Sequence, residues 1–195
     1  MEKDLKEQIK ATFLRNVEEK SLDDVGLWFT KSYRLYSSEK FCDFVSIFKT
    51  KSVRIIGDYD VDGICATSIL LLGLKKAGFT NVSFRIPHRT DGFGLSERLV
   101  DECINDKVKL IITCDNGISA IYPVKKAKEN GIAVIITDHH QSVVDDDDNI
   151  ILPEADIIIN PSAIENSADY SHYCGAGICY KLMKELLSDS HSVTN

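Results

Sequence analysis

Positive charge is scarce in this sequence. Its 23 lysines and arginines face 30 aspartates and glutamates, which leaves a net charge of -7. A protein that holds nucleic acid by neutralising phosphates alone is usually basic, so a broad electrostatic grip of that kind is disfavoured. The deficit still allows an acidic enzyme that meets phosphates through bound metal, because cations reverse the local sign of the field.

Paired cysteines and long apolar runs are also missing. The six cysteines form no CxxC pair, and several lie inside apolar runs, which is typical of small core residues in a reducing compartment. No apolar run approaches the roughly 20 residues that span a bilayer, and the charged N-terminus has no signal-peptide pattern. We therefore expect a soluble, cytoplasmic protein with no membrane partner.

The first 50 residues are predicted to be helical. Apolar residues recur at spacings of four in DLKEQIKATFLRNVEE, which places them on one face of a helix. The stretch SSEKFCDFVSIFK repeats this pattern, with Ser38 as a candidate N-cap. Because no interdomain linker follows, we expect a helical N-terminal extension over residues 1–50 and one domain over residues 51–195.

From Ser52 onward, short apolar runs alternate with longer helical patterns. The predicted strands are VRIIG, VSFRIP, KLIITC, AVIIT and DIIIN, and the predicted helices are GICATSILLLGLKKAG, SERLVDECINDK, ISAIYPVKKAKENG and GAGICYKLMKELL. Strands that are apolar throughout are buried on both faces, and helices between them indicate parallel pairing. The sequence therefore predicts an α/β fold, a parallel sheet flanked by helices. The acidic run Asp145–Asp148 is expected to be a solvated loop, with a contact surface for a basic partner as the alternative.

Polar side chains follow these predicted strands. In an open parallel sheet, ligands bind beyond the carboxyl ends of the strands, so such side chains are expected to share one edge. The clusters are Asp58, Asp60 and Asp62 after VRIIG; His88 and Arg89 after VSFRIP; Asp115, Asn116 and Gly117 after KLIITC; and Asp138, His139 and His140 after AVIIT.

Simpler roles compete with a functional one at each cluster. An aspartate just before a helix is most often an N-cap, which is the commoner role for Asp115 taken alone. Helix capping explains isolated aspartates, but it does not explain why three acidic clusters and two histidines would meet at one edge of the sheet. Carboxylates with imidazoles suit Mn²⁺ or Mg²⁺, and two such cations held close together can activate water for phosphoryl displacement. Asp60 and Asp62 are two residues apart, and we expect both to face the crevice.

The order and spacing of these clusters resemble a known family. GDYDVDG, CDNGISA and TDHHQ are similar to motifs I, II and III of the DHH phosphoesterases, and most of all to the RecJ branch of single-strand-specific exonucleases. IPHRTDGFGLS, INP and CGAGICYKLMKEL also resemble RecJ segments in matching order. DHH relatives that cleave dinucleotides or pyrophosphate usually carry a histidine at the position of Ile56, which favours the RecJ branch here.

The resemblance implies a role for each clustered residue. Asp60, Asp62, Asp115 and His139 would be ligands of a two-metal site for Mn²⁺ or Mg²⁺, with Asp115 bridging and His140 beside the phosphate or the second metal. Asp58 and Asp138 would support these ligands as outer partners. The residues expected to meet substrate are His88, Arg89, Asn116, Gly117 and His140.

The sequence also departs from the RecJ pattern. RecJ-like proteins carry a fourth motif with another metal-binding aspartate after the GAG helix, and a second domain, DHHA1. This sequence contains neither, so we expect a DHH domain truncated before motif IV. The first hypothesis is a 5′–3′ phosphoesterase of single-stranded DNA or short oligonucleotides, with a possible protein partner supplying a DHHA1-like domain. The alternatives are a catalytically impaired binding or scaffold module, and a fragment that needs a second chain.

Overall fold

A computed structural model describes residues 38–162 and 173–189. The helices within these ranges are α1 (Ser38–Ser46), α2 (Val61–Lys76), α3 (Glu97–Asn105), α4 (Ile121–Glu129) and α5 (Gly175–Asp189). The strands are β1 (Val53–Ile56), β2 (Val82–Arg85), β3 (Leu110–Cys114), β4 (Ala133–Thr137), β5 (Val143–Val144), β6 (Ile150–Ile151) and β7 (Ile157–Ile159). The helix predicted near the N-terminus lies outside the described residues.

Five of the strands form one parallel sheet in the order β2-β1-β3-β4-β7. Val53 of β1 pairs with Val82 on one side and with Leu110 on the other. Every residue of β1 and β3 is buried, as expected of strands covered on both faces. The predicted parallel sheet flanked by helices is therefore confirmed, and its carboxyl edge collects the loops that follow β1, β3 and β4.

Alternate residues of each central strand enter two cores on opposite faces of the sheet. Ile112 of β3 packs on the side of α1, α2 and α5, whereas Ile111 packs on the side of α3 and α4. This separation follows from the two-residue period of a strand. Helices α2 and α5 also pack against each other, which brings the start of each helix to the same edge.

Helix α1 belongs to the first of these cores. Its Phe41 and Val45 are fully buried and lie in the cluster that contains Leu182 of α5. The domain boundary expected at residue 50 would therefore separate α1 from a sheet with which α1 shares a hydrophobic core. Among the described helices, none is long and apolar enough to cross a membrane.

Two local features differ from the expectations. The acidic run Asp145–Asp148 is exposed as predicted, but it forms the turn of an antiparallel β5–β6 hairpin. Asp145 Oδ1 accepts hydrogen bonds from the backbone N–H groups of Asp147 and Asn149, which orders this turn. Helix α2 begins at Val61 rather than Gly63, because the Asp60 side chain caps it by accepting from Gly63 N at 2.9 Å.

Candidate metal centre

The loop after β1 brings two carboxylates to the sheet edge. Asp58 is buried and Oδ1 accepts from Tyr59 N at 2.6 Å, while Asp60 is exposed at the start of α2. Burial raises the pKa of the Asp58 carboxyl, and the Asp60 charge adds to the shift although the Tyr59 N–H opposes it. A buried carboxylate beside a second one is costly without a cation.

Asp115 follows β3 and lies at the centre of the cluster. Its backbone has a φ of 62°, a conformation that non-glycine residues adopt seldom. The side chain is 1% exposed, and its Oδ1 accepts no hydrogen bond from the described residues. Burial raises the pKa of Asp115 to about 7, and the charges of Asp62 and Asp60 contribute.

Helix α5 meets Asp115 at a glycine. A Cβ added at Gly175 would lie 2.6 Å from Asp115 Cβ and Oδ1, so only glycine permits this approach. His139 Nε2 lies 3.0 Å from the same Asp115 oxygen. Asp115 Oδ1 is thus enclosed by α5 and by the loop after β4.

Asp138 organises the loop after β4. Its Oδ1 accepts from the backbone N–H groups of both histidines and is 2.8 Å from His140 Nδ1, while Oδ2 accepts from Ile118 N. Burial alone would raise the pKa of Asp138, but these hydrogen bonds outweigh it and lower the pKa. The hydrogen bond with Asp138 raises the pKa of His140 to about 9. Asp138 therefore fixes where both histidines lie.

Asp62 has a structural role that the sequence pattern did not indicate. Its two oxygens accept hydrogen bonds from Gly175 N at 2.7 Å and Ala176 N at 2.8 Å. It caps the N-terminus of α5, where unpaired N–H groups favour a negative charge. Asp62 Oδ2 is also 3.6 Å from His139 Nε2. Its carboxylate therefore borders the cluster while tying α2 to α5.

Two groups of side chains could each hold a cation. Potential ligand atoms of Asp58, Asp60 and Asp115 all lie within 4.8 Å of one another, and so do those of Asp115, His139 and His140. Asp115 belongs to both groups. A buried oxygen without a hydrogen bond and a set of carboxylate and imidazole ligands fit Mn²⁺ or Mg²⁺.

A cavity of about 590 Å³ opens beside these groups. Asn116 lies in its wall, but its Nδ2 donates to Ile56 O and Cys114 O and its Oδ1 accepts from Leu95 N. These bonds favour a role in shaping the wall over direct contact with a substrate. The lining residues are Asp58, Phe93, Gly94, Leu95, Asp115, Asn116, Gly117, Ile118, Ser119, Ala120, Pro123, Asp138 and His140.

The cavity wall requires glycine at position 117. Its φ is 114°, and an added Cβ would lie 2.5 Å from Thr113 Oγ1. Glycine is the residue that adopts this backbone and fits this space. Gly117 thus contributes to the cavity lining, and its contact with substrate stays a prediction.

Several side chains near the metal groups belong to neither group. His88 and Arg89 do not line the cavity, and Arg89 Cζ lies 5.2 Å from the Tyr59 ring. Tyr59 in turn packs against Phe93, with ring centroids 5.0 Å apart. Neither aromatic was predicted as a site residue, although Tyr59 stands inside GDYDVDG and Phe93 inside IPHRTDGFGLS.

The sequence matches a known family over most of its length. The profile of the DHH family, N-terminal domain, covers residues 52–194. This chain belongs to the DHH family. Its DHH domain is 39% identical over 135 residues to the single-stranded-DNA-specific exonuclease RecJ of Salmonella typhimurium, covering 69% of this chain and 22% of that protein. RecJ of Bacillus subtilis is 33% identical over 177 residues, covering 82% of this chain and 22% of that protein.

Solved structures show the same DHH-domain fold. The crystal structure of exonuclease RecJ bound to manganese superposes with a TM-score of 0.69 at 28% identity, covering 81% of this chain and 39% of that one. RecJ of Thermus thermophilus in complex with Mn²⁺ gives a TM-score of 0.65 at 26% identity, covering 80% of this chain and 22% of that one. This chain spans about a fifth of the length of the curated relatives it matches. The predicted family and fold are thus confirmed.

Proposed function

We propose that this DHH domain is a Mn²⁺- or Mg²⁺-dependent phosphoesterase that hydrolyses phosphodiester bonds of single-stranded DNA or short oligonucleotides. The observation that carries the proposal is the position of Asp115, a buried carboxylate shared by two potential ligand groups. The relatives at 33–39% identity are named single-stranded-DNA-specific exonucleases, and two similar structures contain manganese.

The proposed metal ligands are three members of the two groups, Asp60, Asp115 and His139. Asp115 would be shared by two cations, with Asp60 on one side and His139 on the other. Asp62 would join them only by giving up part of its cap on α5. When bound, the cations would supply Lewis-acid stabilisation of the phosphoryl oxygens and a more acidic water.

The remaining residues would position the substrate. His140 lines the cavity, and Asp138 holds its Nδ1 at 2.8 Å, which leaves Nε2 to donate to a phosphoryl oxygen. Asp58 would hold the loop before α2 through its bond to Tyr59 N. His88 and Arg89 are exposed beside this loop, where the Arg89 guanidinium could contact a neighbouring phosphate of the strand.

The test is Mn²⁺-dependent cleavage of a 5′-labelled single-stranded oligonucleotide by the wild-type chain and two variants. Asp115→Asn removes the shared charge, and asparagine tolerates a left-handed backbone better than alanine. We expect a loss of at least about 10²-fold in rate for this variant, the scale of removing one group that stabilises transition-state charge. Asp146→Asn, at the exposed hairpin turn, is the matched control and should cleave like wild type.

A binding measurement separates the proposal from its alternative. Asp60 and Asp62 each cap a helix by accepting a backbone hydrogen bond. This structural role would also suit a domain that binds a strand without cleaving it. Calorimetric titration of Mn²⁺ into the wild type and into Asp115→Asn should show weaker binding in the variant. Strand binding with no Mn²⁺-dependent cleavage by wild type would favour the binding module and overturn the phosphoesterase.

A further inference from the structure

An aromatic pair lies at the mouth of the cavity. The rings of Tyr59 and Phe93 have centroids 5.0 Å apart and planes inclined by 41°. Phe93 is 74% exposed, yet it also lines the cavity that contains Asp58 and Asp115. An aromatic pair beside a cavity with polar groups in its lining favours a ligand that has an apolar face as well as a charged group.

A cation lies next to the aromatic pair. Arg89 Cζ lies 5.2 Å from the centroid of the Tyr59 ring, within the range of a cation–π contact. Tyr59 therefore contacts both the Arg89 guanidinium and the Phe93 ring. This arrangement offers one ring face to a flat ligand and one positive charge to an anionic group attached to it.

A nucleobase with its sugar-phosphate has both of these properties. Every base has a π-face, so stacking on aromatic rings holds a single strand without reading its sequence. The net charge of -7 leaves little general attraction for phosphates, which makes a non-ionic contact more important here than in a basic protein. Bases of a duplex are already stacked on each other, so only a single strand can offer one.

We propose that the aromatic pair of Tyr59 and Phe93 is a base-stacking platform for the strand whose phosphate lies at the metal groups. The proposal rests on the proposed function and adds the contact that selects an unpaired base. Phe93 provides the exposed face, Tyr59 packs against it, and Arg89 would lie beside the sugar-phosphate. The platform is a positioning element and does not take part in bond breaking.

The test uses a short single strand with 2-aminopurine near its 5′ end and phosphorothioate linkages that slow hydrolysis, with Mn²⁺ present. Stacking on an aromatic ring should quench the fluorescent base on binding to wild type. Phe93→Ala should lose the quench and bind roughly 5- to 150-fold more weakly, the range measured for single base–aromatic stacks. Phe93→Trp should keep both the quench and the wild-type affinity.

Tyr122→Ala is the matched control, because Tyr122 is 76% exposed and does not line the cavity. It should bind and quench like wild type. A second strand with an abasic site in place of 2-aminopurine should bind wild type and Phe93→Ala with equal affinity. If Phe93→Ala instead weakened both strands equally, the ring would serve the fold or a protein partner, and the platform would be wrong.

The outcomes also separate this inference from the proposed function. Quenching and Phe93-dependent binding without cleavage of an ordinary strand would overturn the phosphoesterase and leave the platform standing. Cleavage with no quench, and with unchanged affinity in Phe93→Ala, would overturn the platform and leave the phosphoesterase. Absence of any strand binding by wild type would overturn both.

Discussion

Asp115 combines three features that are unfavourable one by one. It is buried, its φ is 62°, and its Oδ1 accepts no hydrogen bond from the described part of the chain. Structures retain such combinations where surrounding contacts enforce them, and they cluster at functional sites. The enforcing contacts here are Gly175, which packs on its Cβ, and His139, 3.0 Å from the free oxygen.

The first prediction concerns the stability of the metal-free protein. Asp115→Asn should raise Tm because it removes a charge from a carboxyl whose pKa is raised to about 7 by burial and by neighbouring carboxylates. A carboxyl whose folded pKa lies above its unfolded value destabilises the fold progressively as pH rises from about 4 to 7. The gain should therefore be larger at pH 8 than at pH 5. Each 1 kcal/mol corresponds to roughly 2–4 °C in a chain of this size.

Thermal melts with chelator at both pH values check this prediction. Added Mn²⁺ should raise Tm of wild type more than that of Asp115→Asn, because a ligand that binds only the folded state stabilises it. A variant that melts lower than wild type at pH 8 would assign Asp115 to the structure and not to a metal.

At the scale of the elements, α2 and α5 are joined by one carboxylate. Asp62 stands in the first turn of α2 and accepts from the first two N–H groups of α5, 113 and 114 residues further along the chain. The second prediction is that Asp62→Ala destabilises the metal-free protein by about 1–3 kcal/mol, as expected when a charged cap is lost. This loss of stability is opposite in sign to the gain expected for Asp115→Asn.

Urea unfolding of the metal-free proteins measures this difference. Asp62→Asn should lose less than Asp62→Ala, since its amide oxygen can still accept one of the two bonds. Asp43→Ala, which changes an exposed aspartate of α1, provides the baseline for loss of an acidic side chain. Equal stability of Asp62→Ala and wild type would remove the proposed capping role and return Asp62 to the metal ligands.

These elements also show what could be read from the sequence. The strands could be predicted because Val53–Ile56 and Leu110–Cys114 are mostly apolar and do not alternate with polar residues, as expected of burial on both faces. Arg54 and Thr113 are the polar exceptions, and both are buried. Ser96 is the first residue of the predicted helix segment SERLVDECINDK, and serine is a favoured N-cap; its Oγ accepts from Leu99 N. The Asp62 cap could not be predicted, because its partner helix is adjacent only in the fold. The β5–β6 hairpin was missed because two-residue strands have no periodicity.

For the whole molecule, the excess of acidic residues and the clustered carboxylates have a common consequence. A chain of charge -7 repels a polyanion, and the edge that would bind it has Asp58, Asp60, Asp62 and Asp115 in one region. Bound cations would reverse the field at that edge alone. Strand binding should therefore depend on the metal and involve few phosphates.

The third prediction follows for salt dependence. With Mn²⁺ present, the logarithm of the affinity for a single strand should fall with the logarithm of salt concentration with a slope between about -0.7 and -1.4, which corresponds to one or two neutralised phosphates. Fluorescence anisotropy over a range of NaCl concentrations measures this slope. Arg89→Ala should make the slope shallower. Phe93→Ala should weaken binding at every salt concentration without changing the slope. A slope steeper than about -3 would require a basic surface, and binding would then not be centred on the carboxylate edge.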